Sequence, residues 1–174
     1  MPTPVTHAAV GFALGPWTQR GAPTRRVCVA AATCAALPDI DAIGWSLRVS
    51  DTSLFSHRAI THSLPFALAA ALVTTMLFFR GPAWATQRVA IATILSLALI
   101  SHICLDAMST YSVGVEFFAP FSQQRYRFLW TPLGDPARGV AGQLIQEAIF
   151  VFFPAVVVGW LGVRRRQRSP AYDQ

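Results

Sequence analysis

Four short clusters of histidine and aspartate stand at the ends of apolar segments, and they hold all four histidines of the chain. Ionisable side chains beside hydrocarbon are costly, so their recurrence at segment ends indicates a functional site. Imidazole nitrogens and carboxylate oxygens together bind Zn²⁺, and Mn or Fe can be held in the same way. The clusters therefore predict a divalent metal site. They are Thr6-His7, Pro38-Asp39-Ile40-Asp41, His57-Arg58-Ala59-Ile60-Thr61-His62-Ser63 and Ser101-His102-Ile103-Cys104-Leu105-Asp106.

The spacing within the clusters fits ligands of a shared centre. His102 and Asp106 are four residues apart, which places both on one face of a helix. His57 and His62 are five apart and fit a loop that runs into a helix, while the aspartate pair follows a proline and fits a turn. Seven donors exceed the four of a structural zinc, which favours two metals over one metal with a second shell. The candidate metal ligands are His7, Asp39, Asp41, His57, His62, His102 and Asp106.

Other polar residues suggest roles in catalysis and substrate binding. Arg58 lies between two of the histidines, and a guanidinium binds phosphate oxygens in pairs, although contact with lipid headgroups is the alternative. Arg125 and Arg127 are weaker candidates for the same role. One of the two carboxylates in the Asp39/Asp41 pair could serve as general base. Glu147 could add a ligand, act as general base or cap a helix N-terminus.

The composition is that of a membrane protein. Of 174 residues, 53% are apolar and 13% are charged, whereas about a quarter are charged in soluble domains. All 14 basic residues are arginines. They lie between apolar segments rather than on one soluble face, so they favour membrane topology over nucleic-acid binding. The three cysteines fit small buried hydrophobes better than a disulfide framework.

Five apolar segments predict an all-α, polytopic membrane bundle of about five helices with an irregular extramembrane loop. About 20 residues cross the hydrocarbon of a bilayer, and residues 60–79, 89–108 and 144–163 match that length. Residues 5–17 and 27–37 are shorter, so they are either tilted spans or half-depth helices, and we favour spans. Residues 1–168 then form one membrane-embedded domain, and residues 169–174 form a frayed tail.

The arginines also predict the orientation. With five spans, nine arginines fall on the side of the C-terminal run and five on the other, which places the N-terminus outside and the C-terminus inside. All seven candidate ligands then lie on the outer face of the inner membrane. Residues 111–142 are polar and rich in turns, and residues 113–118 and 125–129 could be short strands of a hairpin or lid beside the site.

The order of the motifs resembles a known family of bacterial membrane proteins. The similarity covers about residues 3 to 135 and is carried by Thr6-His7-x-x-x-Gly11, Leu37-Pro38-Asp39-Ile40-Asp41, His57-Arg58-x-x-Thr61-His62-Ser63, Ser101-His102-x-x-x-Asp106 and Thr110-Tyr111-x-x-Gly114 with Pro120-Phe121-Ser122. This pattern is similar to that of the membrane-bound metal-dependent hydrolases, which include LexA-regulated inner-membrane proteins. The resemblance implies a hydrolase but no particular substrate.

We therefore expect a hydrolase whose metal-activated water attacks an ester. A phosphoester of a lipid or lipid-linked substrate fits best, because the outer interface favours a substrate that diffuses in the bilayer. A metal-binding membrane protein or ion transporter without hydrolytic activity is the alternative, since His and Asp also mark ion pathways. A structural protein whose metal only holds helices together is the third possibility. No Gly-rich phosphate loop, Gly-x-Ser-x-Gly elbow or HExxH motif occurs, which argues against kinases, serine hydrolases and zincins.

Overall fold

The structure is a computed structural model that describes residues 2–18, 24–50, 53–110 and 113–168. Within these residues the fold is all-helical, as the sequence predicts, and the tail predicted at residues 169–174 lies outside them. A π-helical turn, Ala148–Phe152, joins the last two helices into one continuous helix. The helices are α1 Pro4–Leu14, α2 Thr24–Ala36, α3 Ile43–Ser46, α4 Leu64–Phe78, α5 Pro82–Ala85, α6 Arg88–Ala107, α7 Gly139–Glu147 and α8 Phe153–Gln167.

Two of the described helices, α6 and the continuous helix Gly139–Gln167, are long and apolar enough to cross a membrane. The other predicted spans are shorter, with 15 residues in α4, 11 in α1 and 13 in α2. The prediction of one 20-residue span over residues 60–79 is wrong at its start. Ile60–His62 forms a separate 3-10 turn, and the Ser63 hydroxyl caps α4 by accepting a hydrogen bond of 3.2 Å from the Phe66 N–H. Such a cap satisfies an amide that has no partner inside the helix.

Helix α6 is the centre of the bundle, and it packs against α1, α2 and α4. Small residues allow α1 and α2 to approach closely. A Cβ atom at Gly11 would lie 2.3 Å from the Ala31 carbonyl oxygen, and one at Gly15 would lie 2.4 Å from Sγ of Cys28. Interfaces of this kind are common between helices in membranes, where close backbone packing drives association.

The loop after α6 does not form the predicted strands. Residues 113–118 and 125–129 meet in one antiparallel bridge, in which Val115 and Tyr126 exchange two backbone hydrogen bonds of 2.9 Å. The pairing stops there because the chain turns at residues 117–121. The Phe117 carbonyl instead accepts a hydrogen bond of 2.9 Å from the N–H of Leu64, at the start of α4. The loop therefore lies against the end of the bundle where α4 begins.

The C-terminal arginines pack at the end of α1 that is farther from His7. Arg166 donates hydrogen bonds to the carbonyl of Pro16 at 3.0 Å and to the hydroxyl of Thr18 at 3.1 Å. The Arg164 guanidinium lies 3.9 Å from the centre of the Trp160 ring, within the range of a cation–π contact. The basic run and the histidines therefore belong to opposite ends of the bundle.

The contact between α1 and α2 gives a first prediction. We expect Gly11→Ala to lower the free energy of unfolding in detergent by about 1–3 kcal/mol, because the added methyl overpacks the helix interface. Thermal unfolding followed by circular dichroism measures the change. Phe12→Ala on the same helix is the control, since that ring is 51% exposed. Equal stability of Gly11→Ala and the wild type would contradict the packing described.

Candidate metal centre

All seven candidate ligands lie at one end of the bundle, although four different segments supply them. His7 is near the start of α1, and the 3-10 turn Leu37–Ala42 that follows α2 carries the two aspartates. The loop before α4 supplies two histidines, and the last turns of α6 supply the final pair. Antiparallel neighbours bring these segment ends together, as alternating helices predict. The residues are His7, Asp39, Asp41, His57, His62, His102 and Asp106.

Two imidazoles form the centre of the site, with the Nε2 atoms of His62 and His102 only 3.0 Å apart. Nδ1 of His102 donates to the Ala35 carbonyl at 2.7 Å, and Nδ1 of His62 lies 3.0 Å from a carboxylate oxygen of Asp41. With the ring protons on the two Nδ1 atoms, the form that a bound metal requires, both Nε2 lone pairs point into the same small space. Metal-ligating histidines are oriented in this way, by a carbonyl or carboxylate behind the ring.

Two carboxylates complete a four-donor group around these nitrogens. Oδ2 of Asp106 lies 3.4 Å from Nε2 of His62, and Oδ1 of Asp39 lies 3.6 Å from Nε2 of His102. Metal–ligand bonds of 2.0–2.1 Å place neighbouring donors of a tetrahedral ion about 3.3–3.4 Å apart. The oxygens of Asp39 are buried without a hydrogen-bond partner, which would be costly without a cation, whereas Asp106 is paired with the Arg58 guanidinium. The four side chains could hold a metal ion.

His7 borders the same group from α1. Its ring stacks on that of His102 with centroids 3.7 Å apart, and its Nε2 lies 3.6 Å from Oδ1 of Asp106. Both ring nitrogens are buried and have no hydrogen-bond partner. Because Asp106 turns its other oxygen towards His62, it could bridge two ions, with His7 as a ligand of the second.

Asp41 lies behind the four-donor group and organises the histidine loop. Its carboxylate oxygens are 2.5 Å from Nδ1 of His57 and 3.1 Å from the backbone N–H of Arg58, and they also accept a hydrogen bond from Thr61. Asp41, His57 and His62 form a second, smaller group whose donors could hold a metal ion. The hydrogen bonds favour an orienting role for Asp41, as expected of a carboxylate behind a histidine ligand.

The electrostatics of the site favour positive charge. Burial raises the pKa of Asp39 above its ordinary value. Burial alone would also raise the pKa of Asp41, but hydrogen bonds with His57 and His62 hold it well below the ordinary range. Burial alone would lower the pKa of His62, yet the carboxylates of Asp106 and Asp41 raise it to about 9. A cation at Nε2 of His62 is therefore strongly stabilised.

Of the three arginines predicted to hold a substrate anion, only Arg58 contacts a candidate ligand. Its Nε lies 2.9 Å from Oδ2 of Asp106, and its Nη2 is buried without a hydrogen-bond partner. Arg58 has a φ of 68°, which sets its backbone in the left-handed region within the turn. Arg125 is instead paired with Glu116 at 3.1 Å, and Arg127 is exposed.

Glu147 does not belong to either ligand group among the described residues. Its buried carboxylate accepts hydrogen bonds from the N–H of Thr3 at 3.2 Å and from the hydroxyls of Thr3 and Thr6. Glu147 therefore caps a helix N-terminus, which is one of the roles that the sequence predicts. The helix that it caps is α1 and not α7, the helix to which Glu147 belongs. Sequence reasoning missed this link, and the threonine beside His7 is the only signal that could have indicated it.

Sequence comparisons place the chain among inner-membrane proteins. The family described as YdjM inner membrane protein matches residues 1–169. The chain is 30% identical to Inner membrane protein YbcI of Escherichia coli (strain K12) over 182 residues, which cover 95% of this chain and all of that protein. No solved structure matches the chain. The predicted membrane location is therefore confirmed, and these names state no activity.

The geometry predicts which substitutions remove the metal. We expect His62→Ala and His102→Ala to abolish stoichiometric metal, because each removes one of two facing Nε2 donors. Elemental analysis of purified protein gives the metal content per chain. Cys104→Ser is the matched control, since Cys104 lies between His102 and Asp106 in sequence but belongs to neither ligand group among the described residues. Unchanged metal content in both histidine variants would remove the basis for this site.

Proposed function

We propose that this chain, which belongs to the YdjM inner membrane protein family, is a metal-dependent hydrolase of a phosphate ester in a lipid or lipid-linked substrate. The observation that carries the proposal is the pair of facing Nε2 atoms of His62 and His102, flanked by the buried carboxylates of Asp39 and Asp106. Nitrogen and oxygen donors in this number suit Zn²⁺ best, with Mn or Fe as alternatives. His7 allows for a second ion.

A divalent cation bound here would supply a water of lowered pKa and stabilise negative charge on phosphoryl oxygen. Hydrolysis adds that water across the P–O bond and releases an alcohol and a phosphate. Asp39 is the residue suited to take the proton of the water, because its Oδ1 lies in the four-donor group while its Oδ2 is buried without a hydrogen-bond partner. A general base must lie within hydrogen-bond reach of the proton that it takes. Asp41 contributes by holding His57 and His62 in place.

Arg58 is the residue suited to bind the substrate anion. Its Nε is paired with Asp106, whereas its Nη2 remains buried without a hydrogen-bond partner beside the metal ligands. A guanidinium cannot ligate a cation, since it offers donors and no acceptor. It can hold a phosphate oxygen next to the ion. Its role is therefore in substrate binding rather than in metal retention.

The distribution of polar groups favours hydrolysis over ion transport. A transport path needs polar groups along the depth of the bundle. Among the described residues, the ligand groups lie at one end, while the main core cluster formed by α2, α4 and α6 is hydrophobic. A one-sided site suits a substrate that reaches it laterally from the bilayer.

The proposed topology is multi-pass, with the metal centre at the outer face of the inner membrane. In this arrangement α6 and the helix Gly139–Gln167 cross the bilayer, and the shorter α1, α2 and α4 cross a locally thinned bilayer, shielded by their neighbours. The C-terminal arginines at the opposite end of the bundle fit the cytoplasmic side, where basic residues concentrate.

Substitution of Arg58 tests the proposed activity. We expect Arg58→Ala to keep its metal but to hydrolyse a lipid phosphate about one to two orders of magnitude more slowly, through loss of a charge-assisted hydrogen bond of about 1.5–3 kcal/mol. Turnover of phosphatidic acid in mixed micelles, with metal content measured on the same samples, separates the two effects. Arg127→Ala is the control, because Arg127 is exposed. The proposal would be wrong if the metal-loaded wild type hydrolyses no lipid phosphate but moves ions across proteoliposomes. That result would favour the ion transporter instead.

Labelling of introduced cysteines tests the topology. In a chain whose three native cysteines are replaced by alanine, we expect Ser122→Cys to react with a membrane-impermeant thiol reagent added outside intact cells. Gln167→Cys should react only after the cells are opened, because the C-terminal run is inside. Reaction of both from the same side would show that the number of spans is wrong.

A further inference from the structure

An apolar groove of about 280 Å³ lies between α1, α6 and α8. Val10 and Leu14 line it from α1, Ser101 and Leu105 from α6, and Val158 from α8. The hydroxyl of Ser101 donates to the Ala98 carbonyl at 2.7 Å, so the one hydroxyl of the lining is already satisfied. The groove thus offers hydrocarbon contact and almost no polar partner.

The groove begins at the depth of the metal centre and runs away from it. Leu105 and Ser101 directly precede Asp106 and His102 on α6, and Val10 lies one turn below His7 on α1. On the last helix, the lining extends from Phe150 to Val158, which is about 12 Å at a rise of 1.5 Å per residue. A molecule that fills the groove therefore has one end at the level of the ligands.

We propose that this groove binds an acyl chain of the lipid whose phosphate is hydrolysed at the metal centre, an inference that rests on the proposed function. Helices α6 and Gly139–Gln167, which form two of its walls, are the two described helices fit to cross a membrane, so lipid hydrocarbon surrounds the groove. A peptide would leave its backbone amides without partners there. A helix of a second copy is about 10–12 Å wide, too wide to enter a groove of this volume.

The groove also explains how a phosphate could be aligned without a large polar pocket. The acyl chain would fix the depth of the lipid, because sliding the chain along the groove loses packing contacts with the lining residues. The headgroup would then stay near Arg58 and the two facing histidines. Chain length therefore becomes a determinant of specificity, and the end of the groove near Leu14 and Val158 would set the preferred length.

Photo-crosslinking tests the groove without requiring turnover. Metal-loaded full-length protein is reconstituted in phosphatidylcholine vesicles that contain phosphatidic acid with a diazirine at the end of one acyl chain. We expect crosslinks to concentrate on residues 150–158 and on α1. Val158→Trp should reduce them about tenfold for long chains, since a pocket distinguishes single methylene groups by about that factor or more. Val156→Trp is the matched control, because Val156 is 66% exposed on the same helix.

A second variant distinguishes a change in the groove from misfolding of the protein. Val158→Ala lengthens the groove and should shift the preferred chain to a longer one, whereas a merely damaged protein would bind all chains less. Crosslinks spread evenly over exposed apolar residues, or equal losses in the two tryptophan variants, would overturn the groove as an acyl site. Crosslinks between two copies of the chain at α8 would also overturn it in favour of dimerisation. The wild type could also crosslink in the groove but hydrolyse no lipid phosphate. That result would refute the proposed function and would still support the groove as a lipid-binding site.

Discussion

Two imidazole nitrogens facing each other at 3.0 Å are the constraint on which the rest of the molecule depends. Ala35 and Asp41 hold the Nδ1 sides of His102 and His62, so the two Nε2 atoms must share whatever cation or proton lies between them. Two bare lone pairs at that distance would repel, and two buried carboxylates add negative charge. Positive charge is therefore what holds this end of the bundle together, whether it comes from Arg58, from protons or from a metal ion.

The helices are closely packed because they must bring four chain segments to that point. Gly11 and Gly15 let α1 approach α2, so that His7 reaches the ring of His102. The cap at Ser63 ends the histidine loop one residue after His62, which frees that loop to curve around Asp41. Packing and chemistry are thus coupled, since each close helix contact also fixes the position of a ligand.

Much of the site could be predicted from the sequence because its signals are local. The four-residue spacing of His102 and Asp106 implies one helix face, and alternating apolar segments imply that the clusters share one end. The start of α4 was missed because residues 60–63 are as compatible with a helix as with the turn they form. The hydrogen bond from His102 to the Ala35 carbonyl could not be predicted, because every residue has a backbone carbonyl and the sequence does not mark which one is used. The predicted strands reduce to the bridge between Val115 and Tyr126 because the Phe117 carbonyl binds the N–H of Leu64 instead, a contact that strand patterns do not encode.

The link between Glu147 and the start of α1 has a consequence for biosynthesis. Thr6 and Glu147 are 141 residues apart in the chain, and ribosomes add about 5–20 residues per second. The first candidate ligand therefore emerges several seconds before the carboxylate that anchors its helix. A nascent chain already carries every histidine and aspartate of the cluster while α1 is still unanchored. Anchoring of α1 is thus a late event, because it waits for synthesis of the last helix.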